Sequence, residues 1–401
     1  MRKEGHMIKA VGIGAWAVAA LFGCEGDAPD GDRDAADTVD ADPIDSVDAL
    51  DSVDPVEVDA DLDDDTGADG ADGHDVDPAA IPVGPRACCL AMEGDLVVWS
   101  DDGDLFLWDG VARTPLVVGP GLAKDPTIAD GRLVWADNRG GDFDLWTMTL
   151  SPRGTATLLR GGAGDQDQPV LDGSRLVWIG TDTLPHTPRE AEVYTADLAV
   201  AGSERRLTND PYEQTQPDVS GTRIVWADFA HSPDAMYIDV ADPLRNNADI
   251  YGWDLAADSG FIVTQEATKQ LRPAIDGEVV VWLDWRGINP EPKYSEFQVY
   301  VRRLSDQGPT AERRLAWSSW SRPELWRRPA VSGDTVVFIA EPQVAGAGYV
   351  TGLLAVDVDG GEPWLLAGST SVLDSVVVDG AEAAFVGSNA LGRVRIPAAR
   401  P

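Results

Sequence analysis

The chain is poor in the residues from which most active sites are built. It has three cysteines and four histidines in 401 residues. His6 and His74 fall in the first 80 residues, which leaves His186 and His231 for the remainder. Two histidines are too few for a His-rich metal centre. No Gly-x-Ser-x-Gly nucleophile elbow occurs. Acidic pairs abound, and their abundance makes any chosen pair uninformative. A non-enzyme without cofactor or metal is therefore expected. Basic residues are also scarce, with 31 Lys and Arg against 69 Asp and Glu, for a net charge of −38. Such a surface repels phosphate backbones and excludes nucleic acid as a partner. No apolar run approaches the roughly 20 residues that span a bilayer.

What is present divides sharply along the chain. Arg2, Lys3 and Lys9 precede an apolar run from Ala10 to Phe22 that ends in Leu21-Phe22-Gly23-Cys24. The basic start and short apolar stretch match a secretory signal. The ending resembles a bacterial lipobox, in which the Cys is lipidated and becomes the mature N-terminus. Residues 1–23 are expected to be a lipoprotein signal peptide and Cys24 the lipidation site, anchoring the chain to the membrane. Glu25 at the next position favours the outer membrane over the inner one. Either Met1 or Met7 serves as start.

Residues 25–80 hold 20 Asp, 2 Glu and one Arg, a charge of −21 with no aromatic residue. Like charge and little apolar bulk cannot offset the entropy of ordering, so 24–79 is expected to be a disordered, extended tether. Asp61, Asp63 and Asp65 have the 1-3-5 spacing of a calcium loop, but Thr66 and Asp72 stand where it needs Gly and Glu. Weak, diffuse Ca²⁺ association is the expectation here, not a built site.

From residue 87 one pattern recurs seven times. A short apolar run meets a turn ending in Gly94, Gly131, Gly173, Gly221, Gly277, Gly333 or Gly380. An apolar run then ends in Trp99, Trp135, Trp178, Trp226, Trp282, Phe338 or Phe385. A third, aromatic-bearing run and a fourth follow, as in Glu192-Val193-Tyr194 and Arg205-Arg206-Leu207-Thr208. Four short strands (A to D) per copy of about 45 residues describe a propeller blade. Stacked blades bury both faces, which explains continuous apolar B runs such as Val280-Val281-Trp282. The recurring aromatic is read as the wedge between blades. The fold expected over 80–401 is all-β: a seven-bladed propeller of four-stranded antiparallel blades. The last copy has A (375–378), B (381–386) and C (393–396) but no D, and Ala80 to Val83 is expected to supply it.

The copy Leu207-Thr208-Asn209-Asp210…Gln216-Pro217-Asp218-Val219-Ser220-Gly221 followed by Ile224-Val225-Trp226 resembles the TolB-type, WD-like propeller repeat. The copy from Pro126 to Asp144 is similar. The resemblance covers residues 81–398 and implies fold more than function, because the family spans scaffolds, peptidase-associated domains and a few enzymes. A role in the Tol–Pal system does not carry over, since the tether stands where TolB has an α/β domain.

Asp101, Asp137, Asp228 and Asp284 each follow a wedge Trp by two residues. They are expected to cap their own B–C turns; a cation-binding acidic ring is the alternative. The B–C loops of copies three to five are long, and His186 and His231 lie in them. The D–A loop before copy six contains Trp317, Trp320, Arg322, Trp326, Arg327 and Arg328. With Trp285, these form the candidate binding face, for an envelope or surface protein or, alternatively, a glycan. The same tryptophans could equally tuck under the loops as satellite core. Adjacent Cys88 and Cys89 are expected as buried free thiols, because strand alternation points them apart; a vicinal disulfide is the alternative. A monomer is expected.

Overall fold

In the computed structural model, the described residues are 81–84, 86–181, 191–230, 247–286, 296–308, 311–319, 327–340, 351–369, 373–387 and 390–397, with backbone alone at 296–297 and 317–319. Cys24, the tether, His186, His231, Trp320, Arg322 and Trp326 lie outside them, as does the side chain of Trp317.

The described chain forms seven four-stranded antiparallel sheets. Blade one is typical, with strands Ala87–Glu93, Leu96–Asp101, Asp104–Trp108 and Arg113–Val117. Six blades use consecutive strands. The seventh orders Leu373–Asp379, Glu382–Gly387 and Ala390–Arg395, then takes Ile81–Pro82 from the other end of the chain, pairing Ile81 with Leu391 and Pro82 with Ala390. The expected closure is present, although the C strand begins at Ala390 rather than Arg393. Pro82 occupies the outermost strand of that blade, where its missing N–H interrupts no ladder on the outer side.

The seven turn glycines have φ between +55° and +67°, the left-handed region that two-residue hairpins need. The B strands are buried along nearly their whole length, as in Val279–Asp284. Trp99, Trp135, Trp178 and Trp282 are at most 1% exposed. Each sits between two blades: Trp99 packs with Ala384, Val386 and Leu391 of blade seven, and Trp135 with Val98 of blade one. Within its own sheet the wedge meets an aromatic on the C strand, with Trp99 stacked on Phe106 at 5.9 Å and Trp178 on Tyr194 at 5.5 Å.

Polar staples join the blades at the A–B turns. At five of the seven joins the residue before one turn glycine accepts the N–H of the next blade's turn glycine. Glu93 takes Gly131 N at 2.9 Å, Asp276 takes Gly333 N at 2.7 Å, and Asp379 of the last blade takes Gly94 N of the first at 2.7 Å. Asp172 and Ser220 do the same for Gly221 and Gly277. The Asp or Ser of the Asp-Gly and Ser-Gly turns thus serves a neighbour as well as its own hairpin.

Candidate functional site

The acid that follows the wedge Trp is tied into the sheet. Asp137, Asp228 and Asp284 are at most 5% exposed. Each accepts the indole Nε1–H of its wedge Trp, at 3.2, 2.9 and 2.9 Å. Each also accepts a backbone N–H two residues on, from Arg139, Ala230 and Arg286. Asp101 instead holds Gly84 N at 2.6 Å. Asp137, Asp228 and Asp284 cap their own turns as expected, whereas Asp101 holds the segment before the first A strand.

Three of these acids recruit an arginine, Asp101 through Arg113 at 3.8 Å over Phe106 and the other two through an arginine two residues on. The Arg139 side chain bonds Asp137 and lies 4.4 Å from the Trp146 ring centre; Arg286 bonds Asp284 and lies 4.1 Å from that of Tyr300. Burial works against ionised Asp137, but Arg139 and the Trp135 indole together bring its carboxyl below the ordinary value. Asp228 has no such arginine, and burial raises it despite Trp226 and Ala230. The Trp-x-Asp-x-Arg spacing was legible in the sequence at Trp135-Ala136-Asp137-Asn138-Arg139 and Trp282-Leu283-Asp284-Trp285-Arg286. Its role, locking wedge, turn and C strand together, was not.

The candidate binding face divides. Trp285 is 4% exposed and belongs to the main hydrophobic cluster, so it is core and not a ligand platform. Arg327 and Arg328 do not stand on a surface loop either. Both turn into the central channel that the seven A strands enclose. Arg327 pairs with Asp374 of blade seven. Arg328 crosses to blade four and donates to the carbonyls of Gln216 and Pro217 at 2.9 and 2.8 Å.

The channel holds a cavity of about 650 Å³. One structurally equivalent position per blade lines it: Cys89, Asp125, Gln168, Gln216, Arg272, Arg328 and Ser375. The first five have φ of +50° to +56°, and each lies in a register shift of the A strand. The extra residue of a bulge re-aims its side chain. Pro follows at 126, 169, 217, 273 and 329, where the disrupted ladder needs no donor. The freed amides are met by side chains of the preceding blade: Gln216 N donates to Gln168 Oε1, and Arg272 N to Gln216 Oε1, both at 2.7 Å. The recurrent X-Pro before each turn was the sequence signal for this ring, and periodicity reasoning passed over it.

Cys88 and Cys89 are disulfide-bonded. With one other cysteine in the chain, both can be bonded only to each other. The free-thiol expectation is thereby corrected. The physical reason is the bulge: left-handed φ at Cys89 breaks the alternation that would have separated the two sulfurs.

No family model and no curated protein matches the chain. Solved structures do share its fold. The tricorn protease aligns with a TM-score of 0.54 at 15% identity over 84% of this chain, which spans 36% of that one. The β-propeller domain of Cps50 (Swd1) from Myceliophteria thermophila aligns with a TM-score of 0.53 at 11% identity, over 81% of this chain and 100% of that one. TolB from Acinetobacter baumannii is also among the neighbours, with a TM-score of 0.41 at 14% identity, over 79% of this chain and 62% of that one.

Proposed function

We propose that the chain is a cell-envelope lipoprotein, lipid-anchored at Cys24, whose propeller is a non-catalytic module for binding a protein partner. Residues 24–79 hold it off the membrane surface, and the outer membrane is the location that Glu25 favours. The observation that carries the binding role is the unequal development of the two ends of the propeller. All A–B connections are two residues, whereas the B–C connections reach 20 residues between Asp228 and Asp249. Long loops displayed on a rigid closed scaffold are how many propellers and barrels present variable surfaces to partners. The wedge acids, which could have supplied a general acid and base, are committed to indoles and backbone, and this supports a role without turnover.

The glycan alternative is weaker, because Trp285, the one tryptophan of the proposed platform with a described side chain, is core. A hydrolytic role would need reactive groups beyond those engaged wedge acids.

The test is affinity capture with immobilised protein, presented with envelope proteins and a polysaccharide panel, with Trp320→Ala/Trp326→Ala as control. Salt-sensitive capture of one protein, lost in the variant, is expected. Retention on a polysaccharide competed by free sugar would replace this reading. Mass spectrometry should find diacylglycerol on Cys24; an unmodified residue would remove the anchor.

A further inference from the structure

We propose that the central channel binds a small organic anion, its oxyanion head held by Arg272, Arg327, Arg328 and Gln216 and its apolar body against Ile128 and Leu171. This does not depend on which partner the loop end takes.

Three guanidinium groups converge on one side of the channel, from adjacent blades five and six. That concentration occurs in a chain of net charge −38. The groups are close enough to act on one another. Burial first, then Arg327 and Arg328, pulls Arg272 down to about 9. An anion among them would relieve that repulsion.

The carboxylates facing the channel offset the arginines only in part, because burial raises Asp125 and Asp218 against the pull of Arg328. Asp374 belongs to Arg327. Asp218 accepts Ile275 N at 2.8 Å, and burial raises its carboxyl. Asp125 is pushed up to about 7, chiefly by burial, and shares a hydrogen bond with Asp167. Arg328 has two carbonyls as its hydrogen-bond acceptors and is in none of the close ion pairs among the described residues.

Two donors on residues that line the channel have no hydrogen-bond partner among the described residues: Gln216 Nε2 and Arg327 Nε. Gln216 is 6% exposed. A buried donor left unmade is costly, and donors so placed around an opening are how oxyanion sites are built. The wall away from the arginines carries apolar side chains, including Ile128 and Leu171. A cavity of about 650 Å³ suits a small molecule. A polar head and a short hydrocarbon body fit both walls.

Calorimetric titration of the full chain with hexanoate, hexyl phosphate and hexanol tests this. At least one of the two anions should bind with a Kd of about 1 mM or tighter, and hexanol should bind about tenfold more weakly or not at all. Acetate and inorganic phosphate as competitors then assign the head group. Arg272→Gln and Arg328→Gln should each weaken the anion about tenfold. Tryptophan fluorescence and the melting curve report whether each variant folds, and Gln216→Leu gives a second variant that removes a donor without removing charge. Hexanol binding as well as the anions, or failure of both anions to bind the unmodified chain, would overturn the proposal. So would anion binding undiminished in a folded Arg272→Gln/Arg328→Gln double variant.

Discussion

The two ends of the propeller are built on different terms. At one end every A strand joins its B strand through two residues, from Gly94-Asp95 to Gly380-Ala381. There the staples run from blade to blade and close the ring through Asp379 and Gly94. At the other end the B–C connections vary from two residues (Asp101 to Asp104) to 20 (Asp228 to Asp249). Loop length costs little, because closure entropy grows only with its logarithm. A short turn that donates to a neighbour cannot drift in the same way. Stability is concentrated at the turn end, and freedom to vary at the loop end.

The largest expected effect comes from breaking the ring itself. Removing residues 390–401 deletes the strand that holds Ile81–Pro82 and exposes the edge of Glu382–Gly387. An unpaired edge in a ring of apolar blades should leave an insoluble protein. A soluble truncation with a cooperative melt would show that the end-to-end strand is dispensable. Removing residues 234–243 from the 20-residue connection between Asp228 and Asp249 should instead leave the melting temperature within about 3 °C. Equal damage from both deletions would erase the distinction between the two ends.

The loop end has one rigid feature, and it sets the next effect. Asp284→Ala leaves the Trp282 indole without its acceptor and removes one of the carboxylates around Arg286. Glu312, 2.6 Å from Arg286, softens the loss. A destabilisation of about 3 kcal/mol is expected by denaturant unfolding, at the lower end for breaking a buried charge pair. Asp102→Ala, in blade one at the same end, removes an exposed pair with Arg86 and places Ala at a φ of +54°, and should cost no more than about 1 kcal/mol. A small effect of Asp284→Ala would mean that these acids are free for a ligand after all.

How far all this could be read from the sequence follows the same division. The seven blades, the wedge aromatics, the turn glycines and the strand supplied by residues 81–82 were legible because each recurs at a fixed offset, and repetition separates signal from composition. Asp137, Asp228 and Asp284 were legible as caps for the same reason. The channel was not. Its residues are of five types over seven blades, running from Cys89 to Ser375, so no single recurring side chain marks them. What repeats there is the bulge, and its trace is the X-Pro pair. Arg327 and Arg328 were misplaced because a basic cluster after three tryptophans reads as surface, and nothing local reveals that the chain turns inward at Arg327. Trp285 misled in the same way: its neighbours are polar in sequence but its side chain is covered by blade packing.

The channel between the two ends should also respond to pH. Folded Asp125 titrates near 7, against about 4 for an unfolded aspartate. A carboxyl raised in this way keeps its proton in the folded state while the unfolded chain loses it. Its contribution to stability is therefore full below about pH 4, falls through the window from about 4 to 7, and is level above it. The slope from this one group is at most about 1.4 kcal/mol per pH unit. Asp125→Asn should flatten that part of the melting profile measured from pH 4 to 8. An unchanged profile would place the titration on another group.

Smaller again are the single staples at the turn end. Asp276→Ala removes one acceptor from Gly333 N, an exposed position at which water can substitute. A loss of about 1 kcal/mol is expected from chemical denaturation. Asp379→Ala, at the join of the last blade to the first, should cost the same if the ring has no special seam. A clearly larger loss there would mark the join of the two chain ends as the place where the ring opens.

An effect as small should come from the only covalent cross-link among the described residues. The bond between Cys88 and Cys89 closes a loop of two residues, and a cross-link removes chain entropy roughly with the logarithm of the loop it closes. On that scale its contribution is only about 1 kcal/mol, less than the charge pair at Asp284 although it is the stronger bond. Reduction should lower the melting temperature by about 2 °C or less. Its effect belongs on the channel wall, because Cys89 occupies the blade-one position equivalent to Arg272 and Arg328, and the bond holds the bulge that turns it inward. A melting loss of ten degrees on reduction would mean that the blade-one bulge depends on the covalent bond, whereas its counterparts at Asp125 and Gln216 form without one.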